Sequence, residues 1–520
     1  MPENLRALAY VLILAVPALY LAKNLTAPLL DRHEFRIWRN MWLATTFLAF
    51  TVPSFLLFAL LLAASSYFAV RRMNEPWWLY LVLMFAAPCV AIGVGIPGVF
   101  NRIMDLSYPR LLALLFLLPA AVSLYRMPEN RILRGADWPL VGFWLLQTLL
   151  ALRHGDLPSI LRVVPSYALD ILLPYFVFSR VIRNSRDFNK GLLALVVAAM
   201  PLAAVGVFEL WRDWRIYYVV VREWDIVLTT PYLFRDGLLR AAGTSIEPIA
   251  FGFLCMAAAA SFIALPVGSV LRCWRWLALM LLVAGLYASV SRGPWLGFAM
   301  AIVVTLLTNP PRFARLLVPG VAGFVVALQF LPVALISRFV NLLPFVGAAD
   351  QGSETYRQLL FEKSLLVIER NLLFGSKDFI AAPELQSLIQ GQGIIDVVNT
   401  YLQVTLEFGV LGLGLFVSIF ALLGVQLAVL WANDRQGIIH YQAIAGLYVA
   451  ILFTIATTSS VTIIPVIYWL FAGLLSGLVR SRRCTTEFGV SAIAAAGAWS
   501  DPTTRSSGAR IGIRILGRGI

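Results

Sequence analysis

Long runs of apolar residues, separated by short polar loops, follow one another along most of the chain. The runs are continuous rather than alternating, which predicts helices and not strands. Most of them are long enough for a helix to cross the hydrocarbon core of a bilayer. They lie near 5–22, 42–62, 77–97, 108–124, 138–152, 167–183, 191–211, 246–265, 274–290, 294–308, 315–335, 400–431, 440–458 and 461–479. The pattern predicts an all-α integral membrane protein with about 14 transmembrane helices, or 12–14 if short runs such as 138–152 are re-entrant.

The composition excludes a soluble globular protein, because 60% of the residues are hydrophobic and only 13% are charged. The net charge of +14 does not indicate nucleic-acid binding, since Arg and Lys collect in short loops between the apolar runs. The four cysteines and three histidines are scattered. We therefore predict no metal site and no cofactor.

The basic loops predict the orientation in the membrane. If each run spans once, the loops near 180–190, 272–275, 312–315 and 480–483 fall on one side, which the positive-inside rule makes the cytoplasm. The C-terminus is then cytoplasmic, whereas the loops 212–245 and 336–398 are extracytoplasmic. The basic segment 23–40 conflicts with this count, because the count places it on the extracytoplasmic side. A miscounted early span would remove the conflict.

Three regions follow from this reading of the chain. Residues 1–235 form an N-terminal transmembrane bundle, 236–480 form a second membrane domain with the large extracytoplasmic loop 336–398, and 481–520 form a disordered cytoplasmic tail. Within the large loop, 354–373 has helical periodicity with a broad apolar arc that includes Phe361 and Leu365. We expect this helix to lie at the membrane surface.

Two arginines in this second region are candidates for anion binding. Arg292 lies in the tight hairpin Ser291-Arg292-Gly293, beside the start of a helix whose free N–H groups also attract anions. The alternative is an arginine that merely anchors the hairpin at the interface. Arg357 falls within the apolar arc of the loop helix, so we expect it to point at protein or at ligand, with an internal ion pair as the alternative.

Polar residues also mark the outer ends of two spans. Asn399, Gln403 and Glu407 recur at i, i+4 and i+8 after Asp396, which predicts one polar stripe on a helix. Interhelical hydrogen bonding is the alternative role for such a stripe. Arg240 and Glu247 flank the beginning of another span and are weaker candidates for the same site.

These segments, in this order, resemble the O-antigen ligase/polymerase superfamily of bacterial polysaccharide assembly. The resemblance covers about residues 235–425 and rests on Arg-Ala-x-Gly-Thr at 240–244, Ser-Arg-Gly at 291–293, a long loop with an arginine-bearing helix, and Asn-x-Tyr-Leu at 399–402. It implies a GT-C-like architecture in the bacterial inner (plasma) membrane, with an extracytoplasmic active site.

The resemblance also implies the chemistry. The donor would be an undecaprenyl-diphosphate-linked glycan, transferred with inversion and without metal to a hydroxyl of a second glycan. Arg292 and Arg357 would stabilise the departing diphosphate, Asn399 would belong to the same catalytic group, and Arg240, Glu247 and Tyr401 would bind substrate. A chain-length regulator and a flippase of the same pathway are implied partners, together with the bilayer.

The sequence departs from the family pattern at the position of the catalytic general base. Many ligases of the family carry His before the matching Asn, but Val398 occupies that position here. Asp396 and Glu407 both remain candidates. The departure favours a Wzy-type polymerase of exopolysaccharide or O-antigen repeat units over a ligase that moves finished glycan to another acceptor. A transporter or flippase of lipid-linked precursors is the alternative from another class.

Overall fold

The computed structural model describes residues 2–96, 100–228, 232–266, 270–308, 351–389, 393, 395–434 and 440–498. Residues 96, 100, 101, 103, 351–354 and 483–498 are described by their backbone alone. Elements are numbered along these described parts of the chain.

The structure is mostly helical, as predicted. The helices are α1 Glu3–Thr26, α2 Arg32–Thr51, α3 Phe55–Val70, α4 Trp78–Leu83, α5 Tyr108–Leu112, α6 Leu118–Tyr125, α7 Pro128–Arg131, α8 Asp137–Ala151, α9 Leu157–Tyr167, α10 Leu173–Val181, α11 Ser185–Arg212, α12 Tyr218–Glu223, α13 Pro248–Ala264, α14 Arg272–Ala288, α15 Arg292–Leu307, α16 Gln351–Arg370, α17 Pro383–Gln386, α18 Thr400–Asn433, α19 Tyr441–Ile455 and α20 Ile464–Ala498. Two small antiparallel hairpins pair β1 Ala91–Ile96 with β2 Phe100–Ser107, and β3 Phe234–Arg235 with β4 Leu238–Leu239.

Several of these helices are suited to a bilayer. Within the described residues, six segments are both long and apolar enough to cross a membrane, namely Glu3–Thr26, Tyr108–Tyr125, Leu157–Val181, Ser185–Arg212, Thr400–Asn433 and Ile464–Arg482. The fold is thus consistent with an all-α membrane protein. The total of about 14 spans and the GT-C-like arrangement stay predictions.

Two of the predicted spans are wrong as continuous helices. The run 42–62 divides into α2 and α3, because Pro53 disfavours helical geometry at Val52 and Ser54 caps the next helix through the Leu57 N–H. The run 77–97 is helical only as far as Leu83 and ends in β1. A proline and a capping serine, rather than hydropathy, separate α2 from α3.

A buried set of helices forms the core. Helix α11 packs against α1, α13 and α14, while α15 packs along α19 and α10 along α20. Most side chains of α11 and α13 are buried from one end to the other. A helix that is apolar all round belongs in such an interior position.

Ion pairs hold the basic loops together at one end of the bundle. We call this end of the bundle the basic end. Asp137 pairs with Arg180 at 3.1 Å and with Arg480, and all three side chains are at most 14% exposed. Lys190 Nζ lies 2.7 Å from Glu34 Oε1 and 2.6 Å from Glu75 Oε2.

The Lys190–Glu34 pair brings the start of α2 to the basic end. The segment 23–40, which the predicted span count had put on the other side, therefore lies beside the basic loops. Division of the run 42–62 into two helices provides the additional passage through the bundle that this position needs.

Helix α16 lies in the large loop near the predicted position, although it begins at Gln351 instead of 354. Its buried face packs on a small apolar cluster and is formed by Leu360, Ser364, Val367 and Ile368. Phe361 and Leu365, predicted for the same arc, are 53% and 41% exposed. The buried arc is therefore narrower than the sequence pattern indicated. The large loop's predicted first part, 336–350, lies outside the described residues.

The last helix covers part of the segment predicted as a disordered tail. Helix α20 continues past Arg483 to Ala498, and its final turns are rich in alanine, the strongest helix former. Residues 499–520 lie outside the described residues.

Candidate functional site

A buried carboxylate anchors the loop 240–244. Glu209 in α11 is fully buried, and its Oε2 accepts hydrogen bonds from the N–H groups of Ala242 at 3.0 Å and Gly243 at 2.9 Å. Gly243 has a φ of 51°, which glycine adopts readily. Because the loop is tied to a buried helix, the position of Arg240 at its start is fixed.

The anchored loop meets the hairpin between α14 and α15. Arg240 Nη2 donates a 3.0 Å hydrogen bond to Ser291 Oγ, which in turn donates to the carbonyl of Ser289 at 2.9 Å. Arg292 follows directly as the first residue of α15 and is half-buried. The predicted tight turn is thus confirmed, and Arg240 contacts the residue that directly precedes Arg292.

The hairpin packs on the segment Thr457-Thr458-Ser459-Ser460, which we call the hydroxyl loop. This loop joins α19 to α20, at the opposite end of both helices from the basic end. A Cβ added at Gly293 would lie 2.8 Å from Thr457 Oγ1 and 3.3 Å from Thr458 Cγ2. Gly293 is therefore needed for this approach, which places Arg292 beside the hydroxyl loop.

Arg357 reaches the same loop from α16. Its Nη2 lies 3.5 Å from the carbonyl oxygen of Thr457, at the outer limit of a hydrogen bond, and its side chain is exposed. Arg357 thus contacts the hydroxyl loop directly, and Arg292 lies beside it through Gly293. Arg240 contacts the hairpin that packs on this loop. This convergence of cations suits an anionic group such as a diphosphate.

Asp396 joins the arginines at the hydroxyl loop. The Tyr356 hydroxyl donates to the carbonyl oxygen of Asp396 at 2.9 Å and accepts from the N–H of Asp396 at 3.1 Å. The Ser459 hydroxyl donates to Asp396 Oδ1. Burial raises the pKa of the Glu247 carboxyl group, and the charges of Arg215, Arg240 and Asp396 are near enough to contribute to the shift, so Glu247 belongs to the same neighbourhood.

The first turns of α18 complete the contacts of the hydroxyl loop. Thr400 Oγ1 donates to the Thr458 carbonyl at 3.1 Å, and the Ser460 N–H donates to Gln403 Oε1 at 3.1 Å. Each residue of the loop therefore contacts a different part of the candidate site: Thr457 contacts Arg357, Thr458 contacts Thr400, Ser459 contacts Asp396 and Ser460 contacts Gln403.

Two predicted site residues have local structural contacts. Asn399 caps α18 by accepting from the N–H groups of Tyr401 at 3.0 Å and Leu402 at 3.2 Å. Tyr401 packs edge-on against Phe416 and donates to the Leu452 carbonyl at 3.3 Å. The Tyr401 hydroxyl is thus directed to α19 and not to the hydroxyl loop.

Glu407 lies apart from Asp396, at a break in α18. Its Oε1 accepts from the Tyr167 hydroxyl at 3.3 Å. Two residues further on, Gly409 has φ 71° and ψ −171°, which interrupts the helix. The carbonyl of Leu372 accepts from the Val410 N–H at 2.8 Å in place of a helical partner. The predicted polar stripe therefore divides among three environments.

Arg153 satisfies the carbonyl groups around this break. Its terminal guanidinium nitrogens donate to the backbone carbonyl oxygens of Phe374 at 3.1 Å, Gly375 at 2.9 Å and Glu407 at 3.1 Å. Its Nε donates to the carbonyl oxygen of Leu150 at 3.1 Å. Four carbonyl oxygens from three segments thus share one cation. Carbonyl oxygens at helix ends carry negative partial charge, so this arrangement is electrostatically favourable.

The sequence had not indicated the hydroxyl loop, Glu209 or Arg153. Four consecutive hydroxyl residues between two apolar runs were a signal for the first, because such a run is costly unless its hydroxyl groups are bonded. Glu209 was detectable by the rule that singled out Glu407, since both are carboxylates within an apolar run. Among the described residues, no three His, Cys, Asp or Glu side chains are grouped to hold a metal ion.

The fold and site define a mostly helical protein with several candidate membrane spans and a cluster of arginines and a carboxylate at one end of the bundle. Residues 277–417 match the family model Wzy_C, described as O-antigen ligase, which confirms the resemblance drawn from the sequence. The match includes Arg292, Arg357 and Asp396, whereas Arg240 and the hydroxyl loop lie outside it. No curated protein matches the chain.

Proposed function

We propose that this protein polymerises undecaprenyl-diphosphate-linked oligosaccharide repeat units into exopolysaccharide or O-antigen at the outer face of the bacterial inner membrane. The observation that carries the proposal is that Arg292 and Arg357 lie beside the hydroxyl loop, which also contacts Asp396. Arg240 contacts the hairpin that packs on this loop. The family match over 277–417 supports a function of the ligase or polymerase type.

The proposed sidedness follows from charge. The basic end carries Arg180, Arg480 and Lys190, and the positive-inside rule assigns such an end to the cytoplasm. The hydroxyl loop lies at the other end of α19 and α20. The reaction would therefore occur on the extracytoplasmic side.

The proposed reaction is a direct displacement at the anomeric carbon of the donor sugar. A hydroxyl group of the acceptor glycan gives its proton to Asp396, and its oxygen forms the new bond to that carbon. The bond between the carbon and the diphosphate oxygen breaks, and the lipid diphosphate leaves with the electron pair. Arg292 and Arg357 stabilise the charge that develops on the leaving group, with Arg240 beside them.

The geometry favours Asp396 over Glu407 as the base. Asp396 lies before the first turn of α18 and contacts the hydroxyl loop, where the arginines also lie. Glu407 lies within α18 and contacts Tyr167. A base must reach the same reacting centre as the groups that stabilise the leaving group, and this condition is met more directly by Asp396.

The polymerase is preferred to a ligase because Val398 precedes Asn399 where ligases of the family often carry His. The first experiment compares polymer length in a deletion strain that expresses wild-type protein, Arg292→Ala or Arg357→Ala at matched membrane levels. Arg370→Ala is the control, because Arg370 lies on the same helix as Arg357 but pairs with Glu384 at 2.6 Å.

We expect both site variants to lose long polymer and to accumulate a single lipid-linked repeat at the outer leaflet, while the control keeps its polymer. Full-length glycan retained on the carrier lipid would indicate a ligase. Repeat units that fail to reach the outer leaflet would indicate a flippase. Unchanged polymer in both variants would overturn the assignment of the arginines.

A further inference from the structure

The hydroxyl loop is a rigid element. Thr457 and Thr458 donate side-chain hydrogen bonds to the Thr454 carbonyl at 3.0 and 2.9 Å, so the loop is tied to the last turn of α19. Ser460 Oγ lies 3.1 Å from the Tyr468 hydroxyl of α20. Thr458 and Ser459 are 1% and 3% exposed. A donor on such a loop is held in place before any ligand arrives.

The hydroxyl loop binds one carboxylate oxygen of Asp396, whose backbone is already held by other contacts. Tyr356 holds both the N–H and the carbonyl of Asp396, and Ser459 donates to Oδ1. Among the described residues, none donates a hydrogen bond to Oδ2. Two contacts thus hold the backbone of Asp396 and a third orients its carboxylate, with the second carboxylate oxygen left for a proton donor.

We propose that Ser459 is a positioning residue that orients Asp396 so that Oδ2 receives the proton of the acceptor hydroxyl. The inference rests on the function proposed above, because it takes Asp396 as the base. Proton transfer requires the two oxygens to meet at hydrogen-bond distance along a suitable direction. A carboxylate that can rotate about its Cβ–Cγ bond meets this condition less often, and displacements of about 1 Å cost up to about 100-fold in rate.

A role for Ser459 in packing alone would have consequences different from those of a role in positioning Asp396. Ser459→Ala removes the hydroxyl but leaves the backbone of the loop able to contact Thr400 and Gln403 as before. If Ser459 acts only through packing, the loss of its hydroxyl lowers stability and leaves the turnover of the folded protein nearly unchanged. If it positions Asp396, kcat falls in protein that is folded.

The test measures polymerisation by the purified full-length protein, with lipid-linked repeat units extracted from the deletion strain as substrate. We expect Ser459→Ala to lower kcat by about 10- to 100-fold with KM changed by less than about twofold. Ser459→Thr keeps a hydroxyl group and should restore most of the rate. The control is Ser418→Ala, which removes a hydroxyl that bonds only within α18, to the Leu415 carbonyl at 2.7 Å.

A double-mutant cycle separates positioning from packing. In an Asp396→Asn background, Ser459→Ala should cost little further rate, because its effect passes through the carboxylate. An equal loss in both backgrounds would overturn the proposal. Where the Asp396→Asn rate is below detection, the comparison of Ser459→Ala with Ser459→Thr decides alone, and equal losses in these two variants would overturn it.

The failure of this inference can be distinguished from failure of the proposed function. If Asp396→Asn abolishes activity and Ser459→Ala keeps at least half of the wild-type kcat, the positioning role is wrong and the proposed base stands. If Asp396→Asn keeps the wild-type rate, the base assignment is wrong and the role of Ser459 falls with it.

Discussion

Two carboxylates only 11 positions apart in sequence have different surroundings. Asp396 lies before α18, contacts the hydroxyl loop through Ser459, and acts electrostatically on Glu247. Glu407 lies inside α18, accepts from the Tyr167 hydroxyl, and adjoins a helix break that Arg153 stabilises. One region gathers side chains that can act on a ligand, whereas the other mostly satisfies backbone groups.

A polar residue at membrane depth can therefore have either of two roles. A polar group within a span can serve chemistry, or it can bond to groups that the fold itself exposes where a helix is interrupted. Both reasons select the same residue types, so composition does not separate them. The neighbours of each residue do separate them, and the following predictions test this distinction.

The largest effect is expected for Asp396→Asn, which keeps the size of the side chain and an oxygen that can accept from Ser459. We expect about a 10²- to 10⁴-fold loss of polymerisation rate, because an amide cannot take the acceptor proton. The measurement is the initial rate with lipid-linked repeat units. Asp378→Asn is the control, since Asp378 has a side chain that is 70% exposed in the same large loop. A wild-type rate in Asp396→Asn would remove Asp396 from the reaction.

The next effect is expected for Gly409→Ala, at the helix break near Glu407. An alanine Cβ would lie 2.3 Å from the carbonyl carbon and oxygen of Leu373, and the φ of 71° is unfavourable for alanine. Backbone strain alone costs about 1–3 kcal/mol. We expect a lower yield of folded protein and a lower thermal inactivation midpoint in detergent.

Gly414→Ala is the matched control for that prediction. Gly414 lies in the same helix, and a Cβ there would meet no atom within 4 Å. Equal midpoints for the two variants would show that the break does not require glycine, and the structural account of the Glu407 region would then be wrong.

A smaller loss of stability is expected for Arg153→Lys. Lysine keeps the charge, but its single ammonium group cannot bond the four carbonyl oxygens that the forked guanidinium reaches. A buried carbonyl group left without a partner costs about 1–3 kcal/mol. The thermal midpoint should fall relative to Arg162→Lys, where the arginine donates to Ser159 at 3.3 Å on its own helix.

The smallest effect is expected for Glu407→Gln. Glutamine still accepts from the Tyr167 hydroxyl, so we expect the polymerisation rate to stay within about threefold of wild type. The assay is the one used for Asp396→Asn. A loss of rate as large as that of Asp396→Asn would show that Glu407 also takes part in the reaction and would make it again a candidate for the general base.

The sequence predicted much of the fold because helices in a bilayer are strongly constrained. The hairpin at Ser291-Arg292-Gly293 and the helix that begins at Thr400 lie where hydropathy and local signals put them. The division of the run 42–62 was missed, although Pro53 and Ser54 carry the signal for it. Apolar character alone cannot distinguish one long helix from two that meet at a capped turn.

Hydropathy and charge determined that the chain is helical and suited to a membrane. Three short motifs and an arginine-bearing loop, in order, indicated its resemblance to the O-antigen ligase/polymerase superfamily. These properties are local, because a spanning helix must satisfy its own backbone. Only the tertiary structure brought Arg292, Arg357 and Asp396 to the hydroxyl loop and Arg240 to the adjoining hairpin. It also separated Asp396 from Glu407. Such contacts join residues as far apart in sequence as Gly293 and Thr457. Packing of the helices, rather than any local pattern, decides which of them meet.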